Sequence, residues 1–432
     1  MLPHGCGACP VAARPRFFNV FLIYMNDKIK MMKLNRLFPP DENRWKLATY
    51  ALIVLIVLGS TLYIYRYEPF SSRIEITNEL GGNIFPVTIL STATTDANLV
   101  VPADSNYLGT PKSCIAVRVK STHANSKLRV EVAETPFFSR SVSEFILPKA
   151  DCEYLVFPDI IWDYKALLDN EQAMPVSVAV QAELNGRKLS GNVHTFSMRS
   201  INECLLGYMD SRMKFHDTGD FFAAYVNEDN PNISQILREA LDSRIVNRFW
   251  GYQSKDPKVV DKQVYALWYV LQKRGFKYSS ISNTSLSSNV VFTQRVRTFD
   301  DAFESAQINC VDGSALFASL LKAVNINPIL IRVPGHMFVG YYTDRSHTNI
   351  HFLETSMIGD VNLDDFFPEE KLDSTMAGKS QESISRLMFE KSKEYATRIY
   401  NENREQIHSG KVNYMFLEID KATRALIQPV GK

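Results

Sequence analysis

The chain has 432 residues, which is long for one ordinary domain and suggests two or three units. Lys and Arg number 48 against 47 Asp and Glu, so the net charge of +1 gives no electrostatic support for a nucleic-acid partner. Hydrophobic residues make up 45% of the chain, which is enough apolar material for a sizeable core.

The first marked feature in chain order is an uncharged apolar segment from Leu47 to Tyr65, LATYALIVLIVLGSTLYIY. As an α-helix it is about 30 Å long, enough to cross a bilayer core. Six basic residues precede it within residues 28–46, whereas only Arg66 and Arg73 follow closely, so the positive-inside rule predicts a cytoplasmic N-terminus. We expect a cytoplasmic basic segment over 1–46 and a single transmembrane helix over 47–65. The rest would be periplasmic, anchored in the inner membrane.

Two other interpretations of this segment stay open, a buried core helix and a cleaved signal peptide. No small-residue cleavage site follows it, which disfavours cleavage. Aromatic residues near the two ends resemble an interfacial belt: Trp45, Tyr50, Tyr63 and Tyr65. A retained signal anchor is therefore the main prediction.

Residues 71–200 are predicted to form short strands. Leu128, Val130 and Val132 alternate with charged residues, and a second alternating run from Val176 to Leu184 ends at Asn185-Gly186, a strong hairpin signal. Several such strands separated by Gly, Pro, Asn and Asp favour an antiparallel β-sandwich of immunoglobulin-like size. This region carries no catalytic pattern.

The cysteines other than Cys310 have no assigned chemistry. Cys6 and Cys9 form an isolated CxxC without a second Cys/His pair at metal-ligand spacing, and that stretch is given no function. In an oxidising compartment a disulfide between two of Cys114, Cys152 and Cys204 is expected as readily as three buried thiols.

From residue 203 to 432 helical patterns come first and strands follow. Residues 232–250 and 259–276 space apolar side chains every three and four positions, with Gly275 as a natural stop. Residues 279–289 are predicted to be an exposed loop. The later predicted elements are helices over 299–307, 310–324 and 381–406, and strands over 329–333, 336–343, 350–355 and 413–419. This order predicts an α+β domain.

Cys310 begins a helix that should be buried, since Leu316, Leu320 and Val324 recur every four residues. A thiol at the start of a helix meets unpaired backbone N–H groups and the positive end of the helix dipole, which favour the nucleophilic thiolate. The same N–H groups would stabilise an oxyanion on an acyl group under attack. Asp312 is interpreted as a first-turn acid favoured by the dipole, not as a catalytic group.

A nucleophilic thiol needs a base, and His336 begins a predicted strand directly after Gly335. Glu354, in FLETS, is predicted on the adjacent strand, where a carboxylate would hold the imidazole in the correct tautomer and stabilise its cation. Cys310, His336 and Glu354 would then form a triad. The alternative for each is a purely structural role.

A Cys that begins a helix, Gly-His on a strand and an acidic residue before Thr/Ser on the next strand together resemble the transglutaminase-like superfamily of papain-like folds. More narrowly, the chain resembles bacterial membrane-anchored transglutaminase-like proteins over most of residues 203–430. The stretches that carry this resemblance are VYALWYVLQKRGFKYSSI, QRVRTFDDAF, NCVDGSALFASLL, VPGHMFVGYY and FLETSMIGD.

The resemblance implies Cys310 as nucleophile, His336 as general base and acid, and Glu354 as the orienting residue. The superfamily usually has Asp at the third position, one methylene shorter than Glu. In related enzymes a Gln or Trp supplies a second oxyanion donor. This sequence has no Gln or Trp at the place where those enzymes most simply supply it. Gln294 is the first candidate for that donor, followed by Gln307 and Asn309.

No metal or other cofactor is expected, because His347 and His351 would point away from one site and neither HExxH nor a glycine-rich phosphate loop is present. The resemblance implies attack on an amide or peptide bond through a thioester resolved by water or an amine, with hydrolysis favoured over cross-linking. The predicted location suggests a protein or peptide substrate in the cell envelope. The alternative is a catalytically inactive module that binds an envelope protein or glycan partner.

Overall fold

A computed structural model describes residues 40–67, 74–92, 100–189, 191–279, 286–359 and 361–431. The described chain mixes helices and strands, which confirms the α+β class. Most of the predicted basic segment, including Cys6 and Cys9, lies outside these residues, as do residues 280–285 of the predicted loop.

Helix α1 (Pro40–Tyr67) contains the predicted transmembrane segment. From Arg44 to Tyr63 it is long and apolar enough to cross a membrane, and none of these residues is buried by the rest of the chain. Leu52 and Ile56 are 58% and 60% exposed. This exposure argues against a core helix of this chain, because a continuous exposed apolar surface of this size is typical of a membrane or protein interaction site.

The next part of the described chain consists mainly of strands. In chain order they are β1 (Glu75–Thr77), β2 (Asn83–Ile84), β3 (Tyr107–Gly109), β4 (Ala116–Ser121), β5 (Ser126–Val132), β6 (Phe138–Ser139), β7 (Ser141–Leu147), β8 (Cys152–Phe157), β9 (Ile161–Trp162), β10 (Met174–Leu184), β11 (Arg187–Lys188) and β12 (Asn192–Met198). Two short helices interrupt them, α2 (Pro86–Ser91) and α3 (Tyr164–Leu168).

Two main sheets in this region share one hydrophobic core. Their strand orders are β1-β4-β8-β3 and β2-β12-β10-β5-β7, with β11 paired to β10. Val130 and Val178 from one sheet and Val117 from the other are completely buried in this core. The predicted alternation of inward apolar and outward polar residues is confirmed for β5 and β10.

The Asn185-Gly186 hairpin is also confirmed, since both residues have positive φ (51° and 80°), as a type I′ turn requires. The expectation of wholly antiparallel pairing is wrong at two places, because β3 pairs with β8 and β2 with β12 in parallel. Each of these pairs joins strands that are far apart in sequence, so no tight turn imposes an antiparallel direction.

No disulfide links the described cysteines, so of the two alternatives left open for Cys114, Cys152 and Cys204 the structure has the free thiols. Cys204 belongs to a different hydrophobic cluster from the other two. Burial raises the pKa of the Cys114 thiol to about 11 and also raises the pKa of Cys204. These groups are protonated at neutral pH and pack as small apolar side chains.

The second part of the chain contains further strands and most of the helices. The strands are β13 (Glu203–Met209), β14 (Phe215–Asp217), β15 (Lys277–Tyr278), β16 (Val291–Arg295), β17 (Gln307–Ile308), β18 (Pro328–Val333), β19 (His336–Tyr342), β20 (Ile350–Leu353) and β21 (Met415–Glu418). The helices are α4 (Ile233–Asp242), α5 (Pro257–Lys273), α6 (Phe299–Ser305), α7 (Cys310–Ala323), α8 (Leu372–Met376), α9 (Gln381–His408) and α10 (Lys421–Leu426).

An antiparallel sheet of order β20-β19-β18-β21 is covered on both faces. Leu330 on β18 packs in the same cluster as Leu320 of α7, whereas Ile331 packs with Tyr400 of α9. Successive residues of a strand point to opposite faces, so α7 and α9 lie on opposite sides of the sheet. Because β19 and β20 are antiparallel, the beginning of β19 and the end of β20 lie at the same end of the sheet.

Several predicted bounds differ from the structure, among them the helix predicted over 259–276, which is Pro257–Lys273, and the strand predicted over 413–419, which is Met415–Glu418. The helix predicted over 232–250 ends at Asp242, and the one predicted over 299–307 ends at Ser305. Left-handed backbone follows each end, at Arg244 (φ 61°) and Ala306 (φ 49°), and the helix cannot continue through it. The strand predicted over 350–355 ends at Leu353, and a 3₁₀ turn follows directly.

A buried ion pair lies where the chain passes between its two parts. Arg199 Nε and Nη2 donate to Glu203 Oε2 and Oε1 at 2.6 and 2.8 Å. Their side chains are only 5% and 7% exposed. Contacts also cross this boundary elsewhere, since Phe85 packs in the core of the second part and the N–H of Gln428 donates to Ser91 O at 2.7 Å. The two parts therefore share a buried junction.

We expect Arg199→Ala to lower the free energy of unfolding by about 3–5 kcal/mol, because it leaves the carboxylate of Glu203 buried without its counter-charge. The measurement is urea unfolding of the full chain in detergent, followed by tryptophan fluorescence.

Arg140→Ala is the matched control, because Arg140 is 59% exposed in its ion pair with Glu131 and exposed pairs contribute little. The double variant Arg199→Met/Glu203→Leu removes both charges and should lose less stability than Arg199→Ala alone. Equal losses for these two variants would contradict the ion-pair explanation.

Candidate active site

Helix α7 begins with a complete capping box built by Asn309. Asn309 Oδ1 accepts from the N–H groups of Val311 and Asp312, both at 2.8 Å, and Asp312 Oδ2 accepts from the N–H of Asn309 at 3.1 Å. The N–H of Gly313 donates to Asn309 O at 2.9 Å. The expectation of several unpaired N–H groups is therefore wrong, and only the N–H of Cys310 lies outside this arrangement.

The predicted structural role of Asp312 agrees with its contacts. Its carboxylate is 1% exposed and accepts from the N–H of Arg297 at 2.8 Å and from Arg297 Nη1 at 2.5 Å. The two donors of Arg297 and the N–H of Asn309 together occupy both carboxylate oxygens of Asp312. Asp312 thus fixes the start of α7 against the segment before α6.

The structure brings Cys310, His336 and Glu354 together. His336, the first residue of β19, forms a hydrogen bond through Nε2 with Glu354 Oε2 at 2.6 Å. Cys310 lies close enough to His336 to raise the pKa of its imidazole. Since Nε2 is occupied by Glu354, Nδ1 is the ring nitrogen left for the thiol. The order nucleophile, imidazole, carboxylate is the arrangement that activates a nucleophile.

Glu354 is completely buried and satisfied on all sides. Its Oε1 accepts from the N–H and Oγ of Ser356 at 3.1 and 2.7 Å. Its backbone N–H donates to Ser392 Oγ at 2.8 Å, and that hydroxyl donates to Glu354 O at 3.0 Å. The longer Glu side chain therefore reaches His336 from a fixed backbone, which removes the geometric objection to Glu in place of Asp.

His336 has competing influences on its pKa. Burial lowers it, but the hydrogen bonds and charges of Cys310 and Glu354 outweigh burial and raise the pKa to about 10. The imidazole is therefore a cation at neutral pH. A cation beside a thiol favours the thiolate, which is the reactive form.

Tyr278 is a neighbour of this site that the sequence reasoning missed. Tyr278 on β15 pairs in parallel with Ile308 on β17. Ile308 lies two residues before Cys310. Burial, followed by the charges of Cys310, Glu354 and Asp312, raises the pKa of Tyr278 to about 12. Its hydroxyl is protonated at neutral pH, so Tyr278 adds a neutral, 37% exposed side chain beside the triad.

Gln294, the fourth predicted residue, lies on β16 opposite Cys204. Its Nε2 donates to Arg295 O at 3.0 Å, and the structure records no contact with Cys310. Its oxyanion role stays a prediction. Of the other two candidates, Gln307 is exposed, whereas Asn309 Nδ2 is buried and has no hydrogen-bond partner in the described chain. Asn309 therefore holds an unused donor beside Cys310.

Among the described residues, no group of three or more His, Cys, Asp and Glu side chains is placed to hold a metal ion. His347 stacks on Tyr342 with ring centroids 4.0 Å apart, and His351 Nδ1 contacts Asp261 Oδ1 at 2.7 Å. These two histidines take part in separate interactions.

Comparison with known proteins adds no assignment, because no family model matches the chain and no curated protein matches it. The site must be judged on its geometry.

We expect Glu354→Gln to lower the pKa of His336 from about 10, because the imidazolium loses its buried counter-charge. In the wild type, proton binding by His336 stabilises the folded chain in full below its ordinary pKa of 6.5, and this stabilisation is lost as the pH rises to about 10.

Urea unfolding of both proteins between about pH 6 and pH 10 measures this effect. The stability lost by Glu354→Gln over that range should be clearly smaller than that lost by the wild type. The same loss in both proteins would show that Glu354 does not hold the proton on His336.

Gly313 allows α7 to lie close to the residue after Glu354. A Cβ on Gly313 would lie 2.8 Å from Thr355 Oγ1 and 3.1 Å from Ile308 Cδ1. In Gly313→Ala we expect this clash, about 1–3 kcal/mol, to exceed the gain of up to about 1 kcal/mol in helix propensity. The variant should be less stable, and iodoacetamide should label Cys310 more slowly because the helix start is displaced from His336.

The double variant Gly313→Ala/Thr355→Ala removes the nearest clashing atom and should recover part of both losses. Wild-type stability and labelling in Gly313→Ala would rule out this close packing as a requirement of the site.

Proposed function

We propose that the chain is a membrane-anchored, extracytoplasmic cysteine hydrolase or acyltransferase that acts on an amide or peptide bond. The observation that carries this proposal is the hydrogen bond of His336 with the completely buried carboxylate of Glu354, beside the Cys310 thiol. Burying a carboxylate is costly in free energy unless the carboxylate is paired. A buried carboxylate that orients an imidazole beside a thiol is typical of a catalytic site. The resemblance to transglutaminase-like proteins supports the same reaction class.

The contacts support a two-step reaction. The Cys310 thiolate attacks the carbonyl carbon, and the imidazolium of His336 gives its proton to the departing amine, leaving a thioester on Sγ. Neutral His336 then takes a proton from water or an acceptor amine, which attacks the thioester and releases the thiol. Glu354 keeps the ring oriented throughout. The backbone N–H of Cys310 is the group best placed to donate to the oxyanion.

The exposed apolar helix α1 supports the membrane anchor, and the excess of basic residues before it supports a periplasmic location for the rest of the chain. A protein or peptide of the cell envelope is the substrate that this location favours. Hydrolysis is preferred over cross-linking on the resemblance alone.

A second candidate function is a catalytically inactive module that binds an envelope protein or glycan. One observation favours it: the capping box uses the N–H groups of Val311 and Asp312, and Asn309 Nδ2 is enclosed. An active enzyme needs donors that the oxyanion can reach.

The test is the rate of iodoacetamide labelling of Cys310 as a function of pH, read by peptide mass spectrometry on the full chain in detergent. We expect fast labelling that persists well below pH 8.5, roughly the pKa of an ordinary thiol. His336→Ala should abolish this fast labelling at low pH, and Glu354→Ala should reduce it.

Cys114 is the internal control, because its buried thiol, with a pKa raised to about 11, should label slowly in every variant. Labelling of Cys310 that follows an ordinary thiol in all three proteins would refute the enzyme and favour the binding module.

A further inference from the structure

A cavity of about 1220 Å³ opens at the end of α7 opposite Cys310. Lys322, in the last turn of α7, lines it, together with Lys255 and Arg345 from two loops and Lys421 at the start of α10. Along a helix of 14 residues the two ends are about 20 Å apart. This cavity is therefore separate from the triad.

Three of the four cationic side chains of this cavity have no ion-pair partner. Lys255, Arg345 and Lys421 are exposed and form no ion pair with any described residue. Lys322 Nζ donates to Ile419 O at 2.6 Å, and burial lowers its pKa while the nearby charges of Glu228 and Asp420 act in the opposite direction. Four positive groups thus converge on one cavity in a chain whose net charge is only +1.

Two carboxylates also line the cavity, but local hydrogen bonds already occupy them. Asp344 accepts from Ser346 Oγ at 2.6 Å and from the N–H of Asn349 at 2.7 Å. Asp420 accepts from the N–H of Thr423 at 2.8 Å and caps α10. They hold turns of the chain, and Asp420 also lies near Lys322, so the four cations and two carboxylates of the lining leave two positive charges in excess.

The rest of the lining suits a ligand rich in hydroxyl groups. Gln253 and Asn325 present side-chain amides for which the structure records no hydrogen bond. Trp250, half-buried and stacked under the guanidinium of Arg248 at 3.7 Å from its ring centroid, also lines the cavity. Side-chain amides and an aromatic face bind polar rings, whereas a purely apolar ligand would leave the amides and cations unpaired.

We propose that this cavity binds an acidic saccharide, in which carboxylate or phosphate groups are carried on a hydroxyl-rich frame. The cations contact the anionic groups, the amides contact hydroxyls, and Trp250 packs on a sugar ring. The volume exceeds the roughly 300–1,000 Å³ typical of small-molecule sites, so more than one ring fits. This site does not depend on catalysis by Cys310.

The test uses isothermal titration calorimetry on the full Cys310→Ala chain in detergent, so that binding is separated from any reaction. Trigalacturonic acid is the acidic probe and galactotriose is the neutral probe of matched size. We expect the acidic trisaccharide to bind about tenfold or more tightly than the neutral one, because only it forms charge-assisted hydrogen bonds.

The variant Arg345→Gln/Lys421→Gln should weaken binding of trigalacturonic acid by about tenfold or more. Lys258→Gln is the matched control, since Lys258 is an exposed lysine in the first turn of α5 that does not line the cavity, and it should bind as the parent does. Equal affinity for the two trisaccharides, or equal losses in the cavity and control variants, would overturn the proposal. Failure here would leave the labelling result at Cys310 unaffected.

Discussion

The buried carboxylate of Glu354 is the constraint on which the rest of the second domain depends. A carboxylate with no water contact is stable only when hydrogen bonds and an opposite charge replace that water. His336 supplies the charge from β19, Ser356 supplies two donors from the following turn, and Ser392 on α9 holds the backbone. Through its side chain and its backbone, Glu354 therefore fixes one end of the sheet and helix α9 relative to each other.

Close contacts hold the start of α7 at the same end of the sheet and leave little room for the helix to shift. Ser314 Oγ donates to Cys310 O at 2.7 Å and lies 3.3 Å from Thr355 Oγ1, and Gly313 permits that approach. Asp312 and Arg297 secure the helix from its other side. The position of the thiol thus follows from packing of backbone and small side chains, and the triad is a consequence of that packing.

Short-range sequence patterns predicted much of this arrangement. Alternation of apolar and polar residues identified β5 and β10, and helical spacing of apolar residues identified α5 and α7. The order of Cys310, His336 and Glu354 along the chain led to the hypothesis of a triad, which the geometry supports. What sequence did not predict depends on contacts between distant segments. Ser392 lies 38 residues after Glu354 on a helix whose pattern gives no sign of the contact, and Tyr278 reaches the site through a two-residue parallel ladder.

The connection between α1 and the first sheet limits how far the first sheet can lie from that helix. Helix α1 ends at Tyr67 and the first buried residue of the sandwich is Ile74, so even a fully extended chain spans at most about 25 Å between them. The junction around Arg199 and Glu203 then joins the sandwich to the domain that holds the triad. In the proposed anchored form, the first sheet would therefore begin within about 25 Å of the end of the membrane helix, and a substrate would have to reach the protein there.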